Sequence, residues 1–239
     1  NSQNMTYTLV FYDIAGENCV VPEQMEKYGP FIENADGIIM VVDPRQFHEV
    51  FHIGGYLRGE TEAVQPEKVI EAMYNTFVAE SAGGKSTIPI AVALSKSDLL
   101  RGCVDPDKNF LRDIDYREYN GYGFPAEDFN MMNREVHELL KPENNSMQGK
   151  IFMDSLNECF STKAMFAFSA LNVAAVVKDE GDVSYSMIEE DPETVRVEDP
   201  IFWILYQLHI IPEIRKRVVA PPEPKGGKKV SIFGFGKKR

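Results

Sequence analysis

The sequence predicts an α/β fold built on a mostly parallel sheet. Three short runs carry this reading: Gly37–Val42 (GIIMVV), Ile88–Leu94 (IPIAVAL) and Ala164–Phe168 (AMFAF). Each is apolar at consecutive positions, as strands covered on both faces are. Between them lie stretches with apolar residues at helical spacing. Strands that alternate with helices argue for parallel pairing through crossovers. Each run also ends in a polar turn, and in such sheets chemistry gathers at the carboxyl ends of strands.

Taken in order, Thr6–Tyr12 (TYTLVFY) is rich in β-branched and aromatic residues and predicts a strand running into a loop at Asp13. Gly37–Val42 predicts a second strand, ending at Asp43-Pro44. An Asp followed by Pro suits an N-cap and a first helical position. Glu67–Ser81 places Val69, Ile70, Met73, Phe77 and Val78 on one helical face. Ile88–Leu94 is the third strand and leads into Ser95-Lys96-Ser97-Asp98. Pro125–Leu140 and Met147–Phe160 predict helices, and Ala164–Phe168 a fourth strand followed by Ser169-Ala170-Leu171. Val173–Pro200 is acidic and reads as mostly irregular. Pro200–His209 (PIFWILYQLH) opens on proline and predicts a packed helix. The expected organisation is one domain over 1–214, with a mainly helical insertion at about 102–160, and a Pro/Gly/Lys tail over 215–239.

Composition bounds the function. The chain has 239 residues, 44% hydrophobic and 26% charged, an ordinary globular mix with enough length for a sizeable core. No apolar run approaches a bilayer span, and the first residues (NSQNMTYTLV) show no secretory pattern. Cys19, Cys103 and Cys159 are too few and too scattered for a disulfide framework or a CxxC zinc site, so a cytoplasmic location is expected. Residues 215–239 carry a charge of +8 and residues 1–214 a charge of −20. An acidic body disfavours specific nucleic-acid binding, which needs phosphates neutralised. The basic tail, with Ile232, Phe233 and Phe235 among its lysines, has the chemistry to touch an anionic lipid surface or an acidic partner.

The strand-end turns form a series. Asp13-Ile14-Ala15-Gly16-Glu17 resembles the DxxG motif of GTPases. Ser95-Lys96-Ser97-Asp98 resembles the guanine-reading NKxD or TKxD motif. Phe168-Ser169-Ala170-Leu171 resembles the SAK/SAL loop. In this order they resemble the P-loop GTPases of the Ras-like and translation-factor (TRAFAC) class. With Ala35–Pro44 (ADGIIMVVDP) and Val197–Tyr206 (VEDPIFWILY), the similarity is greatest to the bacterial double-GTPase-type family and covers roughly residues 5–210. The resemblance implies a Ras-like fold, GTP or GDP and Mg²⁺ as ligands, GTP hydrolysis, a protein partner for the switch, and a bacterial source.

The chemistry behind each position is simple. An Asp at position 13 can hold Mg²⁺, and Gly16 lets its N–H approach a γ-phosphate because no Cβ intervenes. Asp98 can accept from guanine N1–H and the 2-amino group, donors that adenine lacks at those places. The Lys96 stem can lie along the base face, Ser169 belongs to the same loop, and the Ala170 N–H can donate to guanine O6. Glu17 stands where Ras-like enzymes carry a water-positioning Gln, which makes it the candidate catalytic residue. Ser95 replaces the usual Asn or Thr, which implies a weaker tie to the phosphate loop. The phosphate loop itself and the strand before it are missing, since the twelve residues ahead of Asp13 hold no Gly-Lys-Ser/Thr. Ala79–Ser86 (AESAGGKS) fits a loose version of the motif, but it follows a helix and enters a strand, the reverse of what a phosphate loop requires. The expectation is that the loop lies upstream in a longer protein or was lost. If lost, the fold serves as a nucleotide-free interaction module.

A further alternative is a zinc hydrolase. His48-Glu49-Val50-Phe51-His52 is an HExxH string, which on a helix puts two imidazoles on one face with Glu49 as base. Arg58 stands where a third histidine is expected, although Glu60 or Glu62 could serve, and the preceding strand and Asp-Pro are the wrong context. The string therefore reads mainly as a non-catalytic histidine pair.

Overall fold

The computed structural model describes residues 6–47, 50–51, 53, 64–77, 84–141, 147–173, 176–180, 183–188 and 191–217. Its centre is a parallel sheet of β1 (Ile38–Val42), β2 (Ile90–Leu94) and β3 (Lys163–Ala167), in that order. The register is even: Ile38 faces Ile90, and Ile90 faces Lys163. Val42, Leu94 and Ala167 therefore end at one level, and their loops emerge side by side. Every residue of β2 is buried, which explains its unbroken apolar sequence.

Helices α1 (Gly16–Cys19), α2 (Pro22–Glu33), α3 (Pro66–Phe77), α4 (Ala126–Leu139), α5 (Met147–Cys159) and α6 (Asp199–Gln207) surround the sheet. Proline occupies the first turn of α2, α3 and α6, where its missing N–H has no intrahelical partner to lose. Phe166 of β3 gathers two helices around it. Phe129 of α4 lies 5.2 Å away and Trp203 of α6 lies 5.9 Å away, ring centre to ring centre. Helices α3 and α5 pack on each other. Between β2 and β3 the chain thus runs through short 3-10 turns and then two helices, where the sequence reading has its helical insertion.

Two expectations are corrected. Thr6–Tyr12 is not a strand: it runs as coil without a ladder among the described residues, and Val10, Phe11 and Tyr12 are each about two-thirds exposed. Asp13 therefore follows coil rather than a strand end. The β-prone residues of Thr6–Tyr12 pair with no strand among the described residues, and β propensity expresses itself only on a paired, half-buried surface. Val173–Pro200 is not mostly irregular: it contains the antiparallel hairpin β4 (Val176–Glu180) and β5 (Val183–Met187). The alternation Val-Ser-Tyr-Ser-Met in β5 is the period-2 signal that identifies it.

Strand β1 is the sheet's outer strand among the described residues. Ile38 N–H donates to the Pro89 carbonyl and the Val42 carbonyl accepts from Ser95 N–H, so residues 38, 40 and 42 turn their backbone groups toward β2. The backbone groups of Ile39 and Val41 consequently point the other way. They face a groove of about 1140 Å³, bounded on its far side by Tyr7–Asp13 and lined also by Ile201, Ile204, Leu205 and Leu208 from α6 and the turn after it.

Candidate nucleotide site

The loops after β1, β2 and β3 form one connected surface. After β1, Asp43 caps a 3-10 turn (Pro44–Gln46) through a capping box: its side chain accepts from Arg45 N–H, and the Gln46 side chain accepts from Asp43 N–H. The expected N-cap is thus present. His48, Glu49 and His52 of the HExxH string lie outside the described residues, as do Arg58, Glu60 and Glu62. The same holds for residues 79–83 of the loose Gly-Lys-Ser string and for the tail from 218 onward.

Lys96 reaches from the β2 loop across to β1, where its Nζ donates to Asp43 Oδ2 at 2.8 Å. Arg45 donates to the same carboxylate at 2.7 Å. Burial opposes ionisation of Asp43, but the hydrogen bonds from Arg45 and Lys96 outweigh it and hold the carboxyl at a pKa of about 2. Lys96 itself takes left-handed backbone angles (φ 52°), uncommon for a residue with a Cβ. The Ser95 hydroxyl and N–H both donate to the Val42 carbonyl. The tie made by Ser95 therefore runs to β1.

Asp98 and Ser169, 71 residues apart in sequence, meet directly: the Ser169 hydroxyl donates to Asp98 Oδ1 at 2.5 Å. The same hydroxyl oxygen accepts from Asn172 N–H, and Asn172 is held by Arg101 at 2.7 Å. Asp98 Oδ2 has no hydrogen-bond partner among the described residues, and neither has the Ala170 N–H, which sits on an exposed residue. The open Asp98 oxygen is an acceptor and the open Ala170 N–H a donor, the group types that a guanine edge pairs with through N1–H or the 2-amino group and through O6.

On the groove side, Asp13 and Gly16 line the same cavity as Asp43, Ser95 and Lys96. Gly16 opens α1, and the backbone of Glu17 follows it in that helix. The structure thus brings Asp98, Ser169 and Ala170 into one constellation and Asp13, Gly16 and Lys96 along one groove, with Lys96 adjoining both. Among the described residues, no cluster of His, Cys, Asp and Glu is arranged to hold a metal by protein ligands alone.

One residue beside this surface escaped the sequence reading. Arg196 is 2% exposed and donates to Asp199 and Asp128, each at 2.7 Å, and to the carbonyls of Arg112 and Asn109. Burial pushes the Asp199 carboxyl up to about 6 although the Arg196 guanidinium beside it favours the charged form. Only an Arg three residues ahead of an Asp signalled this network, and such a pattern is too common to single out.

No family model, no curated protein and no solved structure matches the chain.

Proposed function

We propose that the chain is the guanine-reading part of a GTPase-like switch that binds GTP or GDP with Mg²⁺. The observation that carries this is the Asp98–Ser169–Ala170 constellation, with its unused carboxylate oxygen and amide at the carboxyl end of a parallel sheet. Asp98 accepts from the base, the Ala170 N–H donates to O6, and the Lys96 stem lies over the base while its amine stays anchored on Asp43.

The phosphate half belongs to the groove. A strand running parallel to β1 pairs with the outward backbone groups of Ile39 and Val41 and carries the phosphate loop to the level of Asp13, Asp43 and Lys96. Asp13 offers Mg²⁺ an exposed carboxylate on that groove, and a single carboxylate with water and phosphate oxygens suits this ion. Mg²⁺ supplies neutralisation of the phosphate charge when bound. Gly16 leaves room for a γ-phosphate at its N–H, and Glu17 is the candidate for orienting the attacking water. The reading includes a protein partner for the switch and a cytoplasmic location.

Titration of the full-length protein with labelled GTP tests the reading. Removing a charge-assisted contact costs a few kcal/mol, so Asp98→Ala is expected to weaken GTP by at least about a hundredfold. Equal affinities for wild type and Asp98→Ala remove the guanine assignment and leave the nucleotide-free interaction module.

A further inference from the structure

Ser169 is held from behind. Its N–H donates to the Val195 carbonyl at 3.0 Å, and its carbonyl accepts from Val195 N–H at 2.8 Å, an isolated antiparallel bridge. The next residue is Arg196, whose N–H donates to Asp113 and whose guanidinium is locked between Asp128 of α4, Asp199 of α6 and two backbone carbonyls. Four non-glycine residues have positive φ among those described, and three of them ring Ser169: Lys96, Asn172 and Arg196. Backbone angles of this kind persist only where surrounding contacts over-determine them, and they gather at functional sites.

Resting on the base-reading assignment above, we propose that Arg196 is a positioning residue for guanine recognition. It fixes Val195, which sets the height and tilt of Ser169, which in turn aims the Asp98 carboxylate at the base. The guanidinium suits this task because its two terminal nitrogens each donate to a carboxylate while its Nε–H donates to two carbonyls, a spread of donors that a lysine ammonium does not offer. Through Asp128 and the carbonyls of Asn109 and Arg112, the segment between β2 and β3 is wired to the base pocket. A structural event there therefore reaches Asp98 without touching nucleotide.

The test uses Asp128→Asn, which keeps the shape and weakens one arm of the lock, together with Arg196→Lys. Two readouts are taken on full-length protein. The first is amide hydrogen exchange of Ser169, Asn172 and Val195 without nucleotide. The second is the ratio of GTP to ITP affinity, since ITP lacks only the 2-amino group that Asp98 accepts. Faster exchange at the three amides, with the GTP/ITP ratio falling at least about threefold in Asp128→Asn, is the expected result. A variant that is merely less stable weakens GTP and ITP equally and leaves the ratio in place. An unchanged ratio and unchanged exchange in a folded Asp128→Asn, while Asp98→Ala still loses GTP, overturns the positioning role alone. If wild type itself shows no GTP preference, the base reading falls and the proposal with it.

Discussion

The two sides of the sheet are finished to different degrees. On the β2–β3 side, the loops are tied together: Asp98, Ser169, Asn172 and Arg101 form a linear chain of hydrogen bonds, and Ser169 is bridged to Val195, the neighbour of a buried arginine. On the β1 side, Tyr7–Tyr12 lies exposed across a groove from an outer strand whose Ile39 and Val41 backbone groups face outward. On the proposed reading the difference separates two tasks: the base falls to the groups bonded together after β2 and β3, and the phosphates to the groove beside β1.

The largest expected effect breaks the finished side. Phe166→Ala removes a fully buried ring packed on Phe129 and Trp203, and a cost of about 3–5 kcal/mol in urea unfolding follows. Val10→Ala on the other side changes a residue 69% exposed, and a shift within about 0.5 kcal/mol is expected. Comparable losses for the two variants contradict the contrast.

A smaller effect is electrostatic. The folded-state pKa of Asp43, about 2, lies below its ordinary 3.8. Its ion pairs with Lys96 and Arg45 therefore contribute stability above pH about 4 that is lost as pH falls toward 2. Allowing for solvent screening at the exposed Lys96, this amounts to about 1–2 kcal/mol. Urea midpoints at pH 5 and pH 2.5 are expected to differ less in Asp43→Asn than in wild type. An identical difference in both rules out Asp43 as a source of the acid sensitivity.

The smallest effect sharpens the contrast without a mutation. Hydrogen exchange is expected to alternate along β1: slow amides at Met40 and Val42, facing β2, and fast amides at Ile39 and Val41, facing the groove. Uniform protection along the strand shows that the groove edge is already paired.

These contrasts also show what the chain discloses in one dimension. Strand β2 was legible because burial on both faces leaves an unbroken apolar run, β1 and β3 because they carry similar runs although Val41 of β1 is exposed, and helices α3 to α6 because burial of one stripe leaves a periodic record. Thr6–Tyr12 carries the same record but lacks the partner that turns propensity into a strand. The β4–β5 hairpin was hidden because an acidic stretch with few large apolar residues resembles a loop until its alternation is noticed. Asp98, Ser169 and Ala170 were legible as strand-end residues in a meaningful order. The bond between Lys96 and Asp43 was not, because nothing in a sequence measures the distance across 53 residues. Arg196 was invisible for the same reason: three of its four side-chain partners, Asn109, Arg112 and Asp128, lie 68 to 87 residues away, and only folding assembles them.

The central claim is that Asp98 and the Ala170 amide read guanine. It is tested most directly by the affinities of the wild-type, full-length protein for GTP and ATP, measured side by side by competition against one labelled nucleotide. Adenine presents no donor at N1 and no 2-amino group, so the account predicts a GTP preference of at least about a hundredfold. Equal affinities, or a preference for ATP, contradict it.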